Sequence, residues 1–330
     1  IMKKALDLGR RRTEYERGGV PLGSIERLQL NLLDSAVLSK IRERFGGKLR
    51  CGFVAGAACP VEVIDFMDDI GIPVCEGYGL TETSPIIAMN VPERRRPGSC
   101  GTPLTGVSVV IMGEDGHPAL HGEEGEVCCF GPNVMRGYYR RPDATAEVIT
   151  LAPDGKSRLF HTGDLGCQDE EGWLRITGRL KDQYKLENGK YVCPGPVEEA
   201  ICASRFISQA VLAGSNRPHS VALVVPEWVA VRAHLDLDES IPEEELVNDE
   251  RVQNLLEGEI LSHCARLKKF ERPKDWAVVA PFTAANDMLT PSKGSIRRHI
   301  VIRTYQSQIE NLYGDKNAKL EPPKGEEEAA

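Results

Sequence analysis

Residues 49–83 narrow the fold more than any other part of the chain. A short apolar run at 49–56 ends in small residues, and a helical pattern at 61–69 follows, opened by Pro60 near its first turn. A second apolar run at 72–75 then leads into a Gly-rich polar loop at 76–83. Strand, small-residue loop, helix, strand and polar loop is the alternation of a parallel sheet in an α/β domain. Ligands of such sheets bind beyond the carboxyl ends of the strands, which is where both loops fall.

Either side of this core the texture changes. Residues 24–45 read as a long amphipathic helix, with Ile25, Leu28, Leu32, Leu33, Ala36, Val37 and Ile41 recurring at three- and four-residue steps. From 98 to 178 the pattern is β-rich, with runs at 107–112 and 126–130 and a hairpin at 168–177 turning on Asp169-Glu170-Glu171-Gly172. A second domain begins after Arg179. It carries helices at 194–203 and 251–267, strands at 210–213, 221–225 and 276–279, and a terminal helix at 293–312. The tail from 314 to 330 lacks periodicity and is expected to be disordered.

Composition removes several function classes. The net charge of −8 argues against a non-specific nucleic-acid binder, which needs an excess of basic residues on one face. No window approaches the ~18 apolar residues of a membrane span, and residues 1–20 lack the apolar core of a secretory signal. The basic stretch from Lys3 to Arg12 suits peripheral contact with a membrane surface. Ten cysteines are scattered without a CxxC pair or a histidine at zinc-ligand spacing. They read as reduced, buried thiols in an intracellular compartment, with no metal site among them. A chain opening on Ile1 reads as processed or truncated.

Four segments are hard to explain as packing alone. In Glu76-Gly77-Tyr78-Gly79-Leu80-Thr81-Glu82-Thr83, two glycines let backbone approach a ligand, a ring and hydroxyls suit a nucleobase and its phosphate, and a carboxylate suits Mg²⁺. A capped turn before a helix is the plain alternative. In Phe160-His161-Thr162-Gly163-Asp164, one Asp in a Gly-bounded turn can accept both hydroxyls of a ribose, or simply cap its own backbone. Residues 173–192 interleave Arg179, Lys181, Lys185 and Lys190 with polar groups ahead of Gly189, as a binding segment or a solvated linker would. In Thr290-Pro291-Ser292-Lys293-Gly294, a Lys beside Gly at a helix start is placed to meet an anion, though such starts are common on ordinary surfaces.

In this order and at these separations the four segments resemble the adenylate-forming superfamily of acyl-CoA synthetases, adenylation domains and luciferases. Gln183-Tyr184-Lys185-Leu186-Glu187-Asn188-Gly189-Lys190-Tyr191 and Ser204-Arg205-Phe206-Ile207-Ser208-Gln209 resemble the long-chain fatty acyl-CoA synthetase branch. The resemblance runs from about Leu28 to Tyr313. It implies an α/β fold: a truncated large domain (1–97) with a β-rich subdomain (98–180), then a small α+β C-terminal lid (181–313) and a tail (314–330). It further implies that Tyr78 packs on adenine, Gly79 lies in the same loop, Thr81 contacts the adenylate phosphate and Glu82 binds Mg²⁺. Asp164 would hold the ribose with help from Arg179, and Lys181 would be the hinge of the lid. Lys293 would serve the first half-reaction, and Lys185 with Gly189 the second. The loop containing Gly56 and Ala57 matches a family loop between nucleotide and acyl chain.

The implied activity is ATP-dependent conversion of a fatty acid to an acyl-adenylate and then to a CoA thioester, releasing AMP and pyrophosphate. ATP/AMP, Mg²⁺ and coenzyme A are the implied cofactors and co-substrates, and an acyl carrier protein is the alternative acceptor. The superfamily's Thr/Ser/Gly-rich phosphate loop is missing from these residues. By resemblance it belongs upstream of Ile1, so the chain alone is expected to adenylate poorly, or to act as an impaired nucleotide-binding fragment. The spacing from Lys293 to Arg297-Arg298 also departs from the family pattern.

Overall fold

Two helical segments precede the first strand. The computed structural model describes residues 1–57, 59–291 and 294–314, and the chain divides into two units, Ile1–Thr177 and Gly178–Ala330. In the first unit α1 (Met2–Glu16) is followed by α2 (Ser24–Leu33), a π-helical turn (Asp34–Leu38) and α3 (Ser39–Glu43). The amphipathic run at 24–45 is therefore helical, but its apolar face is split. Leu30 and Leu38 are buried beside Leu33, Val37 and Ile41, against Ala5 and Leu8 of α1. Ile25, Leu28 and Leu32 are exposed. They form a separate stripe on another face, which a single-stripe reading of the periodicity merges with the first.

β1 (Gly52–Val54), α4 (Val61–Asp69) and β2 (Val74–Gly79) form the expected strand–helix–strand unit. β1 and β2 are parallel, with Phe53 opposite Cys75, so the loops after both strands leave by one edge. α1 packs on α4 at Gly9, where a Cβ would come 2.2 Å from the Asp69 carbonyl oxygen. Arg12 donates to the Asp68 and Asp69 carbonyls at 2.9 and 3.1 Å, satisfying groups that the end of α4 leaves open.

The sheet extends as β1–β2–β3–β4, with β3 (Ile86–Met89) antiparallel to β2 and β4 (Thr102–Pro103) antiparallel to β3. β2 runs to Gly79, so Tyr78 and Gly79 lie on a strand and not in the loop expected at 76–83. Pairing with β3 extends the strand, a partner that the sequence around residues 76–83 does not itself reveal. A second sheet holds β5 (Ser108–Met112), β6 (Gly125–Phe130), β7 (Ile149–Leu151), β8 (Arg158–Gln168) and β9 (Leu174–Arg179), with α5 (Pro142–Val148) before β7. Its order is β5–β6–β8–β7, and β9 also pairs with β8.

The second unit opens with the small hairpin β10 (Tyr184–Lys185) and β11 (Tyr191–Val192), then α6 (Pro194–Cys202). Its sheet is β12 (Ile207–Ala213), β13 (Val221–Pro226) and β14 (Asp275–Val278), with α7 (Trp228–Leu235), α8 (Glu243–Leu246) and α9 (Glu250–Cys264) inserted before β14. Strand periodicity divides the core. Ala210, Leu212, Ala222, Val224 and Trp276 face α6 and α9, while Val211, Ala213, Val221, Leu223 and Val225 face the C-terminal helices.

Those helices are α10 (Arg298–Thr304) and α11 (Gln306–Gly314), not one helix from 293. Gly294 has φ +63°, and Leu289 bridges Ile296 in antiparallel fashion, so residues 294–297, expected within the helix, lie outside it. The expected tail beyond Gly314 lies outside the described residues.

Candidate functional site

The two motifs richest in chemistry, 86 residues apart in sequence, meet in the first unit. The Tyr78 hydroxyl donates to Asp164 Oδ2 at 2.7 Å. The Tyr78 ring packs among Ile87, Ala88, Val127, Cys129 and Phe160. Burial, and then the Asp164 charge, pushes the phenol far above its ordinary range, so it remains a donor throughout the working pH range.

Asp164 is only 7% exposed. It lies within β8 and not in the free turn read from its glycine. β6 pairs Glu126 with Leu165 and Cys128 with His161, so β8 fits four steps of chain against two on its neighbour. The excess is a bulge at 162–164, where Gly163 takes φ +73°. The bulge is pinned from below. Glu126 Oε1 accepts the Gly163 N–H at 3.0 Å, while Oε2 lies 2.8 Å from His161 Nδ1. Thr162 donates to the Val127 carbonyl at 2.6 Å and accepts the Asp164 N–H at 3.1 Å. Glu126 is 35 residues or more from both partners and carried no signal in the sequence.

Beyond β2 the chain makes a short 3₁₀ turn, Thr81–Thr83. Thr83 is fully buried, and its Oγ1 accepts the Leu80 N–H at 3.0 Å while lying 2.9 Å from the Leu80 and Pro85 carbonyls. Stapled in this way, the turn leaves Thr81 exposed and Glu82 half-buried. Gly79 is required by proximity, since a Cβ there would sit 1.8 Å from the Pro85 carbonyl oxygen. Glu82 Oε1 accepts the Tyr138 hydroxyl at 2.9 Å, and its carbonyl accepts the Met135 N–H at 2.8 Å. Tyr138, which the sequence reading missed, thus orients the carboxylate. Burial, then Glu82, raises the Tyr138 phenol. Gly56 and Ala57 are exposed in the loop after β1, Gly56 at φ +84° with open space around its Cα.

The other expected residues lie in the second unit. Arg179 ends β9, and its carbonyl accepts the Asp182 and Gln183 N–H groups at 3.1 Å each. Lys181 is exposed in the following turn. Lys185 is exposed on β10 with Nζ 5.4 Å from the Tyr191 ring centroid, and Gly189 turns the β10–β11 hairpin at φ +83°. Lys293 lies outside the described residues. The chain on either side of it is tied: Thr290 N–H donates to the Ser295 carbonyl and Arg297 N–H to Met288, each at 2.8 Å. Arg298 forms a forked pair with Glu198, with Nη2 to Oε2 at 2.8 Å. Glu198 Oε1 also accepts the Leu212 N–H at 2.6 Å.

Two family models cover most of the chain. Residues 19–139 match that of the AMP-binding enzyme and residues 181–317 that of the AMP-binding enzyme C-terminal domain. The chain belongs to the AMP-binding, adenylate-forming enzymes.

Among curated relatives of this AMP-binding enzyme chain, long chain acyl-CoA synthetase 7, peroxisomal, of Arabidopsis thaliana is 32% identical over 298 residues. That match covers 86% of this chain and 41% of the relative. The long-chain-fatty-acid–[acyl-carrier-protein] ligase AEE15, chloroplastic, of the same plant is 30% identical, covering 86% of this chain and 38% of its own length. Among solved structures, O-succinylbenzoate coenzyme A synthetase from Bacillus subtilis, in complex with ATP and magnesium ion, matches with TM-score 0.56 and 26% identity. It covers 76% of this chain and 46% of that one. The chain thus spans less than half the length of the relatives it matches. All ten cysteines are free thiols. Among the described residues no helix is long and apolar enough to cross a membrane.

Proposed function

We propose that this chain supplies the nucleotide-holding part and the C-terminal lid of an AMP-forming long-chain fatty acid–CoA ligase, with residues 1–97 and 98–180 in the large domain and 181–313 as the lid. The observation that carries the reading is the Tyr78–Asp164 hydrogen bond, which joins two distant motifs at the edge of a pinned bulge. Asp164 accepts the ribose hydroxyls, assisted by Arg179. Tyr78 presents its ring to adenine while its hydroxyl fixes the Asp164 carboxylate. Thr81 donates to the α-phosphate, and the Gly56–Ala57 backbone lies between nucleotide and acyl chain.

Glu82 fits a magnesium ligand. It is half-buried and oriented by Tyr138, and among the described residues its Oε2 accepts no hydrogen bond. A single carboxylate suits Mg²⁺, which keeps its waters and shares phosphate oxygens. When bound there the ion would offset phosphate charge.

The chemistry explains why two steps are needed. A carboxylate is a poor acyl donor because its leaving group would be oxide. One carboxylate oxygen of the fatty acid attacks the α-phosphorus of ATP, a P–O bond to pyrophosphate breaks, and the acyl carbon gains AMP as a leaving group. The CoA sulfur then attacks that carbon, the C–O bond to AMP breaks, and the thiol proton is lost. Lys293 supplies positive charge for the first step. Lys185 and Gly189 serve the second, and Lys181 is the hinge between the two.

A titration of the chain with AMP tests the nucleotide assignment. Asp164→Ala should weaken binding about 10- to 100-fold, the loss of hydrogen bonds to a charged acceptor. Undiminished affinity in a folded Asp164→Ala protein would refute it. The similarity to an acyl-carrier-protein ligase supports a second acceptor, and CoA and acyl carrier protein offered in competition separate the two. We further infer an intracellular, reducing location from the free thiols. Membrane contact through the basic N-terminal stretch would fall to Lys3 and Lys4, because Arg10, Arg11 and Arg12 engage Asp69, Glu26 and the end of α4.

A further inference from the structure

Glu126 and Cys128 stand two residues apart on β6 and so point from one face of the sheet. β6 places Cys128 opposite His161 of β8, and the three side chains meet there. His161 Nδ1 lies 2.8 Å from Glu126 Oε2 and 3.4 Å from Cys128 Sγ. One donor atom from each residue falls within 4.8 Å of the other two. Cys128 is fully buried, while the His161 and Glu126 side chains are 23% and 19% exposed, which leaves an approach from solvent. The second imidazole nitrogen, Nε2, is 2.9 Å from Thr150 Oγ1. A histidine that ligates a metal is commonly held through its other nitrogen in this way. At 2.8 Å Nδ1 and the carboxylate oxygen share a proton, and a metal ion taking that proton's place needs the two atoms to part to about 3.3 Å, a small movement of partly exposed side chains.

We propose that Glu126, Cys128 and His161 form a binding site for a zinc-class divalent cation. Sulfur, imidazole nitrogen and carboxylate oxygen together are the donors that zinc takes, with a fourth position left for water, and they are poor partners for Mg²⁺. Binding displaces the Cys128 proton to solvent and leaves a thiolate on the ion. Glu126 links the site to its surroundings, because its Oε1 holds the Gly163 N–H that shapes the bulge before Asp164. An ion on Oε2 draws the carboxylate toward itself and loosens that hold. Metal occupancy is therefore coupled to the position of Asp164. This coupling rests on the nucleotide reading above, whereas the site itself does not.

Cobalt(II) is the probe. Titrated into the metal-free chain, one equivalent should raise a near-ultraviolet sulfur-to-cobalt charge-transfer band together with intense tetrahedral visible bands. Zinc should bleach both by displacement. Cys128→Ala should abolish the charge-transfer band. Cys129→Ala, on the opposite face of β6, should leave it unchanged. His161→Gln should weaken cobalt binding tenfold or more, a second route should Cys128→Ala fail to fold. A hydrogen-bonded triad only, with no charge-transfer band up to millimolar cobalt, would overturn the proposal, as would a band that survives Cys128→Ala. One equivalent of zinc should then lower AMP affinity at least threefold. Unchanged AMP affinity on a zinc-loaded chain overturns the coupling and leaves the site standing. A chain that takes the metal but never binds AMP overturns the nucleotide reading instead.

Discussion

Replacing Glu198 with Ala should be among the most damaging single changes in the second unit. Its carboxylate receives both Arg298 and the buried Leu212 N–H, with side-chain exposures of 12% for Glu198 and 23% for Arg298. Burial alone would lower the Arg298 pKa, yet the bond and charge of Glu198 raise it above its usual value. Removing one partner of a buried pair costs about 3–5 kcal/mol, mostly from stranding the other charge. A quarter of the Arg298 side chain still reaches water, so the lower end applies, about 3 kcal/mol. At about 2–4 °C per kcal/mol for a domain of this size, melting should fall by roughly 6–12 °C. Urea denaturation of the chain, followed by tryptophan fluorescence, reads the same loss as a lower midpoint at constant slope. The double change Glu198→Leu with Arg298→Met should recover the share owed to the stranded charge but not that of the Leu212 N–H, which stays unpaired. A loss below about 1 kcal/mol for Glu198→Ala would refute this reasoning, as would a double variant no better than the single one.

Three other outcomes follow from the geometry. Gly79→Ala should cost more than about 4 kcal/mol, because its Cβ meets the backbone of Pro85 and Ile86, whereas Gly56→Ala, which meets only open space at positive φ, should cost about 1–2 kcal/mol; equal urea midpoints would contradict this. Burial raises the Cys129 thiol from 9.0 to about 12, so the unfolded chain loses that proton first. Stability should be fully present below pH 9 and fall by about 1.4 kcal/mol per pH unit between about 9 and 12, and Cys129→Ala should remove that share of the slope in urea melts run at pH 9, 10 and 11. Lys293→Ala in an enzyme competent for adenylation should cut acyl-adenylate formation far more than thioester formation from supplied acyl-adenylate. Equal losses in the two assays would remove Lys293 from the first step.

The regular parts of the fold were legible because local pattern and tertiary environment agree there. α4 runs over the residues read for it, and β13 and α9 fall close to their apolar runs, since each has one periodic face and one consistent neighbour. The helix at 24–45 was harder. Two apolar stripes share it, and periodicity cannot say which one a neighbour covers. The C-terminal helix starts later than its pattern suggests because the residues just before it are engaged elsewhere, Ile296 with Leu289 and Arg297 with Asp287, while Arg298 at its start meets Glu198.

Residue identities in the candidate site were legible, and their geometry was not. Both motifs were read as loops, and both lie on strands where the pairing register slips, between Tyr78 and Gly79 and between Glu126 and Cys128. A bulge breaks the period of two on which a strand reading depends, so the sequence looks loop-like at that point. At the bulge Thr162 turns to the Val127 carbonyl, while Asp164, two residues on, meets Tyr78. What pins each irregularity is remote in sequence, Glu126 beneath Gly163 and Tyr138 against Glu82. A motif therefore names the groups that could touch a nucleotide, while the residues that aim them become visible only once segments 35 or more residues apart are laid side by side.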